Sequence, residues 1–206
     1  MFHKNIKVDE LTHKYYIDLP SVSALLKLLP QYKNDYKDCS VEFLKPYQER
    51  GNCFHKRVEF YINNNFDLNC NCEYSKELHN NLFNNFLFWY DDYFLNINKP
   101  QTEISLINNY FLGTFDFMYL DNDNNYHLLD WKTNKITNQI KTLTQLKLYE
   151  ILIKDNLNIN KNTKFIFECF NPNENRFITF TNKQEKQANK NVKYILNILK
   201  GEITNE

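Results

Sequence analysis

The pattern of apolar and polar positions changes near Pro100 and divides the chain into two halves. Residues 4–18 alternate in the manner of a short hairpin, with Ile6, Val8, Tyr15 and Ile17 as its apolar members. Pro20-Ser21 then leads an apolar run from Val22 to Leu29 that stops at Pro30, which predicts a short helix with Ser21 as its N-cap. Residues 40–96 read as helical, with Phe54, Val58, Tyr61 and Ile62, then Leu78, Leu82, Phe86 and Trp89-Tyr90, at helical spacing. Asn/Asp-rich stretches at 63–71 and the pair Lys99-Pro100 break this half.

Beyond Pro100 the period shortens. Strands are predicted over 102–108, 113–120 and 126–132, the last two joined by the turn cluster 121–125. A helix over 138–154 carries Ile140, Leu143, Leu146, Leu148 and Ile151. Strands over 164–170 and 176–181 flank Asn171-Pro172-Asn173, and a last helix runs from about 183 to 200 and stops near Gly201. The order β-β-β-α-β-β-α predicts an α/β or α+β sandwich, a mixed sheet flanked by helices. We read the 206 residues as a single domain, with a hairpin and helical wall in 1–100 and a sheet core in 101–206.

Composition narrows the function. With 42% hydrophobic and 16% aromatic residues the chain has the means to fold. Its 25 basic and 25 acidic residues cancel, which argues against a general nucleic-acid coat but leaves room for a local basic path beside an acidic site. No stretch approaches the roughly 18 apolar residues of a membrane span. Met1-Phe2-His3-Lys4-Asn5 opens neither a signal peptide nor a transit segment, so a cytoplasmic location is expected. Five cysteines, an odd number, point to reduced thiols, and Cys70-Asn71-Cys72 lacks the two-residue spacing usual in zinc sites. No partners are evident for His3, His13, His79 or His127.

Candidate chemistry lies on the second and third strands of the second half. On 113–119, strand periodicity puts Phe115 and Phe117 on one face and Asp116 on the other. On 126–132, Leu129 and Trp131 share a face, and Asp130 and Lys132 share the opposite one. A hairpin through 121–125 would set Asp116 beside Asp130. Two carboxylates on an apolar strand pair are costly unless a cation joins them. Carboxylate oxygens suit Mg²⁺, which also takes phosphate oxygens, and a neighbouring lysine can orient or help deprotonate a metal-bound water or neutralise charge on a phosphate. Such a group would serve a phosphodiesterase.

Gly113-Thr114-Phe115-Asp116, Asp130-Trp131-Lys132-Thr133 and Gln145-Leu146-Lys147-Leu148-Tyr149, in that order, resemble the RecB-like branch of the PD-(D/E)XK nucleases. Gly51-Asn52-Cys53-Phe54-His55 with Glu59 resembles the branch's upstream helix motif, and Pro20-Ser21-Val22-Ser23 with the layout of 20–150 is similar to the mitochondrial genome maintenance exonuclease and its phage relatives. The resemblance implies a restriction-endonuclease-like core. It implies a metal-dependent DNA exonuclease working from single-stranded ends in replication, recombination or repair, with Mg²⁺ as cofactor and Mn²⁺ as substitute. DNA is the implied substrate, with replication or recombination proteins as further partners. It implies His55, Asp116, Asp130 and the backbone carbonyl of Trp131 as metal ligands, Lys132 beside the nucleophilic water, and Glu103 near the metal. Gln145 and Tyr149, on one helix face, would line the DNA path or brace Lys132, with Ser21 as a phosphate contact. Some relatives carry an iron–sulfur cluster on one early and three late cysteines; with only Cys169 late, none is expected here.

Each residue also has a plainer reading. Asp130 and Lys132 could form a surface ion pair on an edge strand, and His55 could be a partly buried helix histidine. Glu103 could be solvated, Gln145 and Tyr149 could be ordinary helix residues, and Ser21 only an N-cap. The aromatic stripe of 83–94 suits a core better than a base-stacking platform. A structure-specific endonuclease and a non-catalytic DNA-binding module of the same fold stay open beside the exonuclease.

Overall fold

The computed structural model describes residues 8–9, 14–15, 19–33, 39–64, 67–68, 70, 72, 76–93, 98–134, 138–160 and 162–202. A two-stranded ribbon, β1 (Val8–Asp9) and β2 (Lys14–Tyr15), pairs antiparallel, with Val8 opposite Tyr15. Ile6 and Ile17 of the expected hairpin lie outside the described residues. Helix α1 (Val22–Leu26) opens where the sequence places it: Ser21 is its N-cap and accepts the amide of Ala24 at 3.2 Å. Helices α2 (Val41–Asn64) and α3 (Lys76–Tyr93) follow.

The second half forms one mixed sheet in chain order. Its strands are β3 (Asn98–Ile107), β4 (Leu112–Leu120), β5 (Tyr126–Trp131), β6 (Phe165–Asn171) and β7 (Arg176–Thr179). All neighbours are antiparallel except β5 and β6, which run parallel because helix α4 (Gln139–Asn156) carries the chain across between them. Helix α5 (Asn182–Leu199) closes the chain behind a capping box of Thr181 and Gln184, and Gly201, at φ 72°, ends it.

Two cores sandwich this sheet. On one face Val22 and Leu25 of α1, Leu143 to Ile153 of α4, and Ala188 and Ile195 of α5 pack on Phe115, Met118, Leu128, Phe165 and Phe167. On the other, Phe54 and Val58 of α2 and Leu82 to Tyr90 of α3 pack on Phe117, Tyr119, Leu129, Trp131 and Phe170. The aromatic stripe of α3 through Tyr90 is therefore core, with only Phe88 of its described rings strongly exposed. Gly113 permits the closest approach in the first core, since a Cβ there would lie 2.7 Å from the Tyr149 ring and 2.8 Å from a Val22 methyl. Gly113→Ala should cost about 1–3 kcal/mol by overpacking, read as a lower denaturation midpoint at unchanged slope.

Three expectations need correction. Lys99-Pro100 does not break the chain before the sheet, because β3 already begins at Asn98. Strand β3 is an edge, where a proline's missing amide is tolerated, and the register slips between Asn98 and Gln101 beside Lys99 at φ 50°. Phe115 and Phe117 do not share a face: the first joins the core under α4 and the second the core under α3. The alternation is broken at Asp116, where the pairs Ile104–Phe115 and Thr102–Phe117 bracket Glu103 and Asp116, and Glu103 takes φ 51°. His79 and His127 also have partners, Cys70 for the first and Glu168 and Asp121 for the second.

Among the described residues no helix is long and apolar enough to cross a membrane.

Candidate functional site

The break in β4 sets the candidate site. Glu103 sits in a left-handed conformation that a non-glycine residue adopts at a cost of roughly 1–3 kcal/mol, and such strain gathers at functional positions. Its carboxylate reaches His55, presented by α2, with Oε1 2.7 Å from Nδ1. Asp116 Oδ1 lies 3.8 Å from the same nitrogen. His55, Glu103 and Asp116 thus each offer one ligand atom, all within 4.8 Å of one another.

Asp116 is fixed from both sides. Its Oδ2 accepts the backbone amide of Trp131 at 2.8 Å, and its carbonyl accepts the Thr102 hydroxyl at 2.9 Å. The Trp131 ring is buried against Phe54, Phe86, Trp89, Phe117 and Phe170, which anchors that amide. Phe54 adjoins His55, so one aromatic core positions both the helix and the strand that carry the site.

Asp130 and Lys132 form a second, adjoining unit. Asp130 is 1% exposed on the central strand β5, which excludes the surface ion pair on an edge strand. Lys132, one residue past the strand, holds it with Nζ 2.9 Å from Oδ1 and 2.8 Å from Oδ2. Its own amide donates to the Phe170 carbonyl at 3.0 Å, which continues the ladder and aims the side chain. Asp130 is close enough to Asp116 for their charges to interact, but its carboxylate is taken up by Lys132 and stands outside the converging trio. Of the ligands the resemblance implies, His55 and Asp116 converge with Glu103 in place of Asp130.

Burial and charge shape the ionisation of the site. Burial disfavours the His55 imidazolium, but the Asp116 charge and the Glu103 hydrogen bond and charge outweigh it and lift the pKa to about 9. Burial raises Asp116, against the pull of His55. Burial also brings Asp130 up to about 6 in spite of Lys132. Lys132, disfavoured by burial, is nonetheless held above the ordinary lysine range by Asp130 and Asp116. In the neutral range His55 and Lys132 are both cations, and they offset the clustered carboxylates. The His55 pairing therefore supports the fold fully below its ordinary pKa of 6.5, and that support is lost as pH rises through about 9.

These groups open onto a cleft of about 960 Å³ between α2, the end of α1, the β3–β4 pair and α4. Ser21, His55, Glu103, Asp116, Lys132, Gln145 and Tyr149 all line it. Gln145 Nε2 donates to the Tyr149 hydroxyl at 3.1 Å, one turn apart on α4. Glu59 and Lys56, on α2, line the same cleft. Lys141 and Lys147, the basic residues of α4 near this cleft, are not among its lining. Their amines lie over the rings of Tyr32 and Phe167 instead. Lys147 is two residues from Gln145 and so falls on another side of the helix, and Lys141 is one turn away, drawn to Tyr32.

No protein-family model and no curated protein matches the chain. Among solved structures, the crystal structure of SSO0001 is similar at a TM-score of 0.36 and 12% identity, over 91% of this chain and 80% of that one. That likeness is too distant to assign a family or an activity.

Proposed function

We propose that the chain is a metal-dependent deoxyribonuclease with a PD-(D/E)XK core, acting as an exonuclease on single-stranded ends. The observation that carries this reading is the convergence of His55, Glu103 and Asp116 beside a buried Asp130–Lys132 pair at the wall of an open cleft. The Glu103 and Asp116 carboxylates suit Mg²⁺ or Mn²⁺, and burial raises the Asp116 carboxyl in spite of the nearby His55 and Lys132. The mixed sheet with its parallel β5–α4–β6 unit and the ordered motifs around Gly113, Asp130 and Gln145 support the same reading.

His55, Glu103 and Asp116 would hold the cation. When bound, it supplies Lewis acidity toward the phosphate and the attacking water. The chain's own groups do the rest. Trp131 N–H keeps one Asp116 oxygen fixed, so the other points toward His55 and Glu103. Lys132, held above the ordinary lysine range by Asp130 and Asp116, acts as a donor and a counter-charge toward the phosphate oxygens. Asp130 holds Lys132 in place. Gln145, Tyr149 and the Ser105–Thr114 hydroxyl pair, 2.7 Å apart, offer neutral contacts along the cleft.

Two measurements follow. Because His55 is protonated at neutral pH and a ligand must be neutral, cation binding should release close to one proton. Affinity should rise up to about tenfold per pH unit until about pH 9. Calorimetric titration of Mn²⁺ in two buffers of different ionisation heat reads the proton directly, and His55→Ala should abolish the release. An unchanged release in His55→Ala would remove His55 from the site. For substrate, incubation with linear and circular single strands of one sequence should degrade only the linear form. Equal loss of both would replace the exonuclease by the endonuclease reading.

A further inference from the structure

A second group of ligating side chains lies in the helical wall, apart from the cleft. Cys53 of α2, Cys70 and Cys72 of the connection between α2 and α3, and His79 of α3 bring three sulfurs and one ring nitrogen within 4.8 Å of one another. Cys53 Sγ lies 3.2 Å from Cys70 Sγ, and Cys70 Sγ lies 3.2 Å from His79 Nδ1. Around a tetrahedral zinc, with sulfur at about 2.3 Å, ligand atoms stand roughly 3.5–4 Å apart, so shifts of a few tenths of an ångström to about 1 Å bring this group to that spacing. We propose that Cys53, Cys70, Cys72 and His79 form a structural zinc site that ties α2 to α3.

The surroundings favour this over simple thiol packing. Thiols that serve only as small apolar residues have no reason to direct three sulfurs and an imidazole nitrogen at one point. Cys70 and His79 are each 3% exposed, so the group is closed to solvent on its inner side. The outer shell is built as well. Arg57, 4% exposed, donates to the His79 carbonyl at 3.2 Å and to Asn80 Oδ1 at 2.9 Å. It also grips Asp67 at 2.6 Å, so it fixes the His79 turn and the cysteine segment from one side chain. Three thiols with one imidazole suit zinc better than an iron–sulfur cluster, which is usually held by four thiolates.

The polar connection also needs such a tie. Of its described residues 67, 68, 70 and 72, only Cys70 is buried, and Leu68 is 40% exposed. Among these described residues the apolar core therefore holds little but Cys70, and a metal bridging three elements would hold them strongly. Cys53 lies two residues before His55 on α2, so the same bridge would set the rotation of the helix that presents His55 to the cleft.

Full-length protein purified without chelator should contain about one zinc per chain by elemental analysis. To keep the two candidate sites separate, the same measurement is made on Asp116→Asn, which should retain the zinc. Cys70→Ser and Cys72→Ser should lose it. Cobalt in place of zinc should give thiolate-to-cobalt charge transfer in the near ultraviolet and the visible bands of tetrahedral cobalt, a readout that needs no variant to fold. A protein that carries no zinc and shows no sulfur-bound cobalt spectrum overturns the site. So do iron with acid-labile sulfide, a Cys53–Cys70 disulfide seen as a mass two hydrogens lower, or zinc kept by both cysteine variants.

Discussion

Asp116→Asn should lower the rate of DNA cleavage by about 10³-fold while the protein keeps its fold. The amide oxygen can still accept the Trp131 amide, so the strand contact at 2.8 Å survives. What disappears is the negative charge that faces His55 and Glu103, and with it an oxygen ligand. Burial disfavours the Asp116 charge while that charge supports the His55 imidazolium, so its loss should change the melting temperature of the metal-free protein little. Lys132→Ala should cost about 10²–10³-fold by a different route, with cation affinity largely kept. Its effect should not be rescued by more Mg²⁺, whereas that of Asp116→Asn should be rescued in part. Wild-type turnover by both variants would show that the reacting groups lie elsewhere.

Trp131→Ala should be the most destabilising single change in the site, by about 3–5 kcal/mol. The ring is 1% exposed and meets partners from α2, α3, β4 and β6 in one place. Its removal leaves a cavity where the wall meets the sheet, and it frees the backbone that carries the amide to Asp116. Activity should therefore fall with stability even though the side chain touches no substrate. Trp131→Phe, which keeps most of the ring contacts, should recover most of both. A Trp131→Ala protein that melts within about 1 kcal/mol of wild type would show that the aromatic core does not couple wall and sheet.

Local pattern made much of this legible. The strand with Asp116 and the strand with Asp130 stand within one residue of their expected bounds, because each is a short alternating or apolar run closed by turn residues. His55 on a helix, and Gln145 with Tyr149 on another, follow from helical spacing. What pattern could not give is what depends on departures from regular geometry. Strand pattern alone makes Glu103 one more strand residue; the resemblance set it near the metal, and its φ of 51° with the break at Asp116 brings it to His55. Periodicity assumed an unbroken pleat, so it put Phe115 and Phe117 on one face. The burial of Asp130 follows from β5 being central, which sheet order decides and strand pattern does not. The sulfur and imidazole group was hidden for a related reason. Its members span Cys53 to His79, and a C-x-C pair with two distant ligands becomes a cluster only once α2 and α3 fold back together.

The central claim is cation-dependent cleavage of DNA. The most direct measurement incubates the purified protein with 5′- and 3′-end-labelled single-stranded oligonucleotides in Mg²⁺, and in parallel in EDTA. The account predicts progressive shortening of the strand with 5′-phosphate products in Mg²⁺, none in EDTA, and recovery when Mg²⁺ or Mn²⁺ is restored. Intact single- and double-stranded substrates under every cation, or equal cleavage in EDTA, would contradict it.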